Sequence, residues 1–240
     1  MPTIGCSCKV CTSKDPRDRR LRCSAMVETE NTRILIDCGP DFREQMLRQK
    51  FRKIDAILIT HSHYDHVGGM DDIRPFCTFG DVNVYCDPIS EKSLRTTMPY
   101  CFADHLYPGV PKINLKRIEP RQGLQVNELQ VVPFQVMHDK LPILGYKIGK
   151  LAYITDMKTI PEHEIELLQD IDVLVVNALR FTKAHHSHML VDEAIAFAKR
   201  TSAKKVFFTH ACHDIGLFDE VNAKLPDGFR IAYDGETVVI

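Results

Sequence analysis

The segment His61-Ser62-His63-Tyr64-Asp65-His66 constrains this chain more than any other. It follows directly on Ala56–Thr60, AILIT, an apolar and β-branched run that reads as a buried strand. Alternation puts His61 and His63 on one side of an extended turn. Asp65 and His66 then begin the next helix and can aim at a neighbouring point in space. Three imidazoles and a carboxylate gathered at a strand end have no packing rationale, because buried polar groups cost energy unless they are partnered. Mixed nitrogen and oxygen donors suit Zn, Mn or Fe, and a set divided between two adjacent positions suits two ions acting together.

The surrounding pattern predicts a sheet-rich chain with helices outside. Ser24–Thr29 and Arg33–Asp37 read as a hairpin around a polar turn. Asp41–Lys50 has helical spacing, and further strands are expected at Val82–Tyr85, Val131–Val136, Ile143–Ile148, Leu151–Thr155, Val173–Val176 and Val206–Thr209. Helices are expected near Ile89–Met98, Pro161–Leu168 and Val191–Arg200, with loops at Phe102–Pro111 and Glu119–Gly123. Strands dominate the first half, and strands alternate with helices after Thr155, which predicts mixed sheets. No composition shift marks a linker, so residues 1–240 are expected to form one domain.

A net charge of -1 supplies no general pull toward nucleic acid, so long nucleic acid is not expected as a partner. No apolar run nears the ~18 residues needed to cross a bilayer, and Met1–Lys14 lacks a signal-peptide core, so a cytoplasmic location away from membranes is expected. The chain has nine cysteines. An odd count with most of them scattered singly does not make a disulfide framework. Cys6, Cys8 and Cys11 are the exception, three thiols packed closely enough for one soft metal. A structural zinc wants a fourth ligand, and Cys212 or His213 are the candidates.

The hexad after a hydrophobic strand resembles that of the metallo-β-lactamase superfamily, and the likeness continues along the chain in the family's order. His138 after VVPFQVM, Asp156 after AYIT and His210 after KVFFT match the family's remaining metal ligands. The resemblance implies an α+β fold, the four-layer αββα sandwich of two mixed sheets with helices on the outer faces. It implies that His61, His63 and His138 hold one metal and that Asp65, His66 and His210 hold the other, with Asp156 and a hydroxide bridging them. Mn²⁺ or Zn²⁺ would serve as the two divalent ions.

The cysteine cluster, the run Pro16–Arg20 and the segments Ile36–Arg43, His138–Tyr146 and Pro226–Phe229 resemble the branch of the phosphonate-pathway cyclic-phosphate phosphodiesterases. That branch implies one structural Zn²⁺ held by Cys6, Cys8, Cys11 and His213, with Cys212 a bystander. It also implies that His188 acts on the scissile phosphate, where an imidazole with a pKa near neutrality suits protonating a leaving alkoxide. His185 is a candidate for substrate binding beside it, with Asp65 and His188 as the catalytic pair. His186 and His105 are weaker candidates for lining the pocket. Arg17, Arg19, Arg20 and Arg22 are expected to pair with carboxylates or face solvent. Relatives of this branch begin with a further strand before the cysteines, so a version extended upstream is expected to be more stable. The expected activity is hydrolysis of a small phosphodiester, cyclic ones included. The alternatives are a thioester or lactone hydrolase, a ribonuclease, and a non-catalytic accessory protein of cofactor biosynthesis. A homodimer is the oligomer considered.

Overall fold

The computed structural model describes all 240 residues. They divide into two compact units, Arg22–Pro133 and a second built from Met1–Leu21 with Phe134–Ile240.

The Arg22–Pro133 unit holds β1 (Ala25–Glu28), β2 (Arg33–Ile36), α1 (Phe42–Met46), β3 (Ala56–Leu58), α2 (Tyr64–Val67), β4 (Val82–Cys86), α3 (Pro88–Thr97), β5 (Ile113–Arg117) and β6 (Leu124–Val126). Its sheet has the order β1-β2-β3-β4-β5, with β1 antiparallel to β2 and the other pairs parallel. β2 and β3 are buried at every position. Such runs belong to strands covered on both faces. The edge strands β1 and β5 are only partly buried, which is why β5 lacks a clear apolar signature. α3 begins where Asp87 accepts a hydrogen bond from Ser90 N at 2.9 Å with Pro88 just inside, a standard start signal. Leu35, Ile57, Ile59, Phe42, Met70 and Phe76 are among the core residues, and Phe42 meets Phe76 edge to face at 5.8 Å. β6 pairs antiparallel with the first residues of β7 (Leu129–His138).

The second unit carries the end of β7, then β8 (Leu141–Ile148), β9 (Leu151–Tyr153), β10 (Val173–Asn177), α4 (Val191–Ala198), β11 (Lys205–Thr209), α5 (Phe218–Asn222) and β12 (Phe229–Ile231). Strands run in the order β12-β11-β10-β9-β8-β7, and β9 to β12 are mutually parallel. β8 runs antiparallel to β9, so this sheet is mixed too. α4 presents Val191, Ala194, Phe197 and Ala198 to a core that includes Phe134, Val136, Ile154, Val176 and Phe208. That helical spacing gives one apolar face. Glu162–Leu168, where the sequence predicts an α-helix, is a 3-10 helix, as is Met70–Phe79 with Pro75 inside it.

Glycines close the turn that carries the hexad. A Cβ on Gly39 would lie 2.2 Å from the Asp65 carbonyl oxygen, and one on Gly69 would lie 2.1 Å from the Gly39 carbonyl oxygen. Backbone is in the way in both cases, so relief requires moving the turn. Gly39→Ala is expected to lower stability by about 3 kcal/mol, the upper end of overpacking costs. Urea midpoints of the two proteins test it, and an unchanged midpoint would show that the turn yields freely.

Candidate metal centre

In the Arg22–Pro133 unit the hexad starts just beyond β3. Thr60, the residue before it, is fully buried and donates from its backbone N to Asp37 Oδ1 and from Oγ1 to Asp37 Oδ2, both at 2.8 Å. Asp37 is itself buried and accepts a third bond, from His66 Nδ1 at 2.7 Å. With Nδ1 committed to that carboxylate, His66 presents Nε2 as its ligating nitrogen, an orientation that metal-binding histidines use widely. His66 Nε2 stands 3.4 Å from Asp65 Oδ2, and His61 Nε2 stands 3.0 Å from His63 Nδ1. Two donors bound about 2.0–2.1 Å from one tetrahedral ion lie about 3.3 Å apart. The four hexad residues therefore fit divalent metal in their donor types and in their spacing.

In the second unit, His138 ends β7 and donates from Nδ1 to the Ser187 carbonyl at 3.0 Å, which leaves Nε2 to act as ligand. Asp156 is buried beyond β9, where Thr155 Oγ1 donates to its Oδ2 at 2.6 Å. Its Oδ1 faces His188 Nε2 at 2.8 Å and His210 Nε2 at 3.1 Å. His138, Asp156 and His188 each offer a ligand atom within one shared 4.8 Å radius of separation. His188 thus sits beside the carboxylate rather than capping α4, whose N-cap is Leu190. Burial holds the His188 imidazole below its ordinary pKa, with the Asp156 bond working the other way and the neighbouring His210 adding to the fall. His185 is lowered also, by burial first and by the His188 charge second. Its Nδ1 lies 3.1 Å from His188 Nδ1, and His186 stacks on its ring at 4.7 Å. His105 is exposed in the loop after α3.

Asp37, Asp156 and His210 all have positive φ, at 61°, 55° and 53°. Non-glycine residues adopt this region at a cost, and such residues collect at functional sites. Asn177 secures one of the three. Its Oδ1 accepts from Met157 N at 2.8 Å and its Nδ2 donates to Met157 O at 2.9 Å, clamping the residue after Asp156. Lys158 Nζ donates to the His188 carbonyl at 3.4 Å and to the Glu193 carboxylate of α4 at 2.8 and 2.9 Å, tying the His188 loop to that helix. Sequence reading assigned no role to Asp37, Asn177 or Lys158. Asp37 had a detectable signal, an acid immediately after the apolar strand RILI.

The cysteine cluster closes within the second unit. Cys6 Sγ and Cys8 Sγ each stand 3.4 Å from His213 Nδ1, and Cys11 joins them to make four ligand atoms within 4.8 Å of one another. A sulfur and a nitrogen on one tetrahedral zinc lie about 3.5 Å apart, so the spacing fits. The Cys11 N–H, and then His213, pull the Cys8 thiol down to about 6. This favours the thiolate that metals bind. Cys212 is outside the group, and its backbone N donates to Leu179 O at 3.0 Å. Of the arginine run, Arg17 pairs with Asp15 and Asp219, Arg22 pairs with Asp41, and Arg20 is buried with Nε on the Ala232 carbonyl. The run is therefore largely engaged within the protein rather than offered as a phosphate patch.

Residues 32–211 match the family model described as the β-lactamase superfamily domain. The chain belongs to the metallo-β-lactamase superfamily. It has the two mixed sheets and helices of the metallo-β-lactamase fold, and that fold implies divalent metal ions. A crystal structure described as a new diphosphatase from the PhnP family is 38% identical, with a TM-score of 0.90 over 98% of this chain and 90% of that one. Zn²⁺-bound PqqB from Methylobacterium extorquens, 20% identical with a TM-score of 0.75 over 100% and 95% of the two chains, shares the fold. Among curated relatives, an octanoyltransferase of Porphyromonas gingivalis is 41% identical over all of this chain and 49% of its own length. A ribonuclease Z of Clostridium kluyveri is 23% identical over 80% of this chain and 82% of its own. The chain spans about half the length, or less, of the first curated relatives it matches. No helix is long and apolar enough to cross a membrane.

Proposed function

We propose that this hydrolase is a metal-dependent phosphodiesterase that cleaves small phosphodiesters, cyclic ones included. The likeness to the PhnP-family diphosphatase over nearly the whole length of both chains is the observation that supports this most, since a diphosphatase also attacks phosphorus. By the family resemblance, His61, His63, Asp65 and His66 in the Arg22–Pro133 unit, and His138, Asp156 and His210 in the second unit, would serve as divalent-metal ligands, with Mn²⁺ or Zn²⁺ as the ions. Such ions supply an activated water and neutralise charge on the attacking and leaving oxygens. His188, whose Nε2 stands 2.8 Å from Asp156 Oδ1, is the residue that would protonate the leaving alkoxide. Asp156 keeps His188 Nε2 in place, and His185 stands on the other ring nitrogen to meet substrate oxygens. Cys6, Cys8, Cys11 and His213 take one structural Zn²⁺.

The test is hydrolysis of bis-p-nitrophenyl phosphate before and after chelation and again after Mn²⁺ or Zn²⁺ is restored, with metal content measured alongside. Activity that follows two exchangeable ions is the expected result, and two bound ions without phosphodiester turnover would overturn the reading. The octanoyltransferase relative favours a second reading, hydrolysis of acyl thioesters. Faster turnover of an acyl thioester than of bis-p-nitrophenyl phosphate would favour it over the first.

A further inference from the structure

The Arg22–Pro133 unit has a cavity that the metal-ligand residues leave unused. Asp71 and Arg74 on the 3-10 helix Met70–Phe79, Tyr100 on the turn Pro99–Cys101, Tyr107 and residues 108–110 line about 540 Å³. That is within the usual size of small-ligand sites, which run from about 300 to 1,000 Å³. The helix carrying Asp71 and Arg74 is the direct continuation of the hexad turn. Asp71 follows His66 by five residues, so the two Cα atoms are at most about 18 Å apart.

The lining selects among ligands. Tyr107 is 78% exposed and Tyr100 43%, unusually open for rings that lie in a concave site. The Tyr100 hydroxyl donates to Asp71 Oδ1 at 2.9 Å, which fixes that ring, and Arg74 Nη2 is paired with Asp71 Oδ2. Burial, reinforced by the bond to Asp71, pushes the Tyr100 hydroxyl up to about 12, so it remains a donor at neutral pH. Because Asp71 offsets the Arg74 charge, the cavity has no surplus positive charge to attract a second phosphate. A purely apolar ring would cover the Asp71–Arg74 pair without offering it a partner, and stripping water from such groups is unfavourable. A neutral, planar ring with a hydrogen-bonding edge satisfies both the tyrosine face and the ion pair. Stacking of bases on tyrosine is tolerant of sequence because every base has a π face.

We infer that this cavity binds the nucleobase of a nucleotide-type substrate, its ring stacked on Tyr107 and its polar edge on Arg74 and Asp71. The assignment of that substrate as a phosphodiester rests on the proposed function; the base site itself does not. The remaining N–H groups of Arg74 donate to a base carbonyl or ring nitrogen, and Asp71 accepts from an exocyclic amine.

The experiment compares adenosine 5′-monophosphate with ribose 5-phosphate, which differ only by the base, for binding to the full chain by calorimetry and saturation-transfer NMR. The expected result is at least tenfold tighter binding of the nucleotide, with saturation transferred to the adenine protons. Tyr107→Ala, at a largely exposed position and therefore compatible with folding, should bring the two affinities within twofold. Equal binding of the two probes by the wild-type protein would overturn the inference, as would an adenine preference that survives Tyr107→Ala. Bis-p-nitrophenyl phosphate hydrolysis by the same preparation separates the two claims. Adenine binding through Tyr107 without any phosphodiester turnover would keep the base site and sink the phosphodiesterase; turnover without a base preference would do the reverse.

Discussion

Asp65→Ala is expected to reduce bis-p-nitrophenyl phosphate turnover by more than about 10³-fold while moving Tm by less than about 2 °C. The two halves have separate causes. Asp65 is the only carboxylate in the hexad, and in the proposed function the metal it would hold stabilises developing charge by several kcal/mol; a thousandfold loss corresponds to about 4 kcal/mol of barrier. The Asp65 side chain is 41% exposed, so its removal leaves no cavity in the core. Changes of that kind stay within about 0.5 kcal/mol, and a chain of this size shifts by about 2–4 °C per kcal/mol. His66→Ala makes the contrast. His66 is fully buried with Nδ1 on Asp37, so its loss removes a donor from a buried carboxylate and destabilises by about 1–3 kcal/mol as well. Activity assays paired with thermal melts of both variants check this, and a fully active Asp65→Ala protein would overturn the assigned mechanism.

The same contrast shows what was legible in the sequence. The strand ends that carry the candidate ligands were readable because two signals coincide there, an apolar run and then a residue with no reason to sit beside it. Ala56–Thr60 before His61 and Lys205–Thr209 before His210 are of that kind, and the structure has strands at Ala56–Leu58 and Lys205–Thr209. α3 and α4 were readable from spacing, predicted at Ile89–Met98 and Val191–Arg200 and observed at Pro88–Thr97 and Val191–Ala198. β5 was missed because it is half exposed and carries Asn, Lys and Arg. β6 and β12 were missed because each is a three-residue strand with a polar residue at its centre, LQV and FRI, unlike the equally short but wholly apolar β3. The 3-10 helix Met70–Phe79 was missed because Pro75 breaks the helical pattern. Asn177 and Lys158 show a different limit. They act by holding Met157 and Glu193, contacts spanning 20 and 35 residues that no local pattern encodes.

Replacing His213 is expected to remove one tightly held metal from each chain and to lower Tm by about 4–8 °C. Cys6 and Cys8 both converge on His213 Nδ1, and three thiols without it cannot complete a tetrahedral zinc site. Isolated zinc modules gain about 10–16 kcal/mol from their metal. The share expressed here is smaller, about 2 kcal/mol, because the second unit has an extensive apolar core that does not depend on the cluster. The consequence extends to the other ligands, since His210 lies three residues before His213 on the same turn and holds a left-handed backbone there. His213→Ala should therefore also weaken the exchangeable metals, by about 10- to 100-fold if it acts as supporting residues around metal sites generally do. Cys212→Ser is the control within the turn. Cys212 lies outside the four-ligand group and contributes a backbone bond to Leu179 that serine retains, so this variant should keep both the metal count and the melting temperature. Elemental analysis and melts of the two variants decide the matter. Loss of the tight metal in Cys212→Ser but not in His213→Ala would transfer the fourth ligand from the histidine to the cysteine, and retention in both would remove the structural zinc altogether.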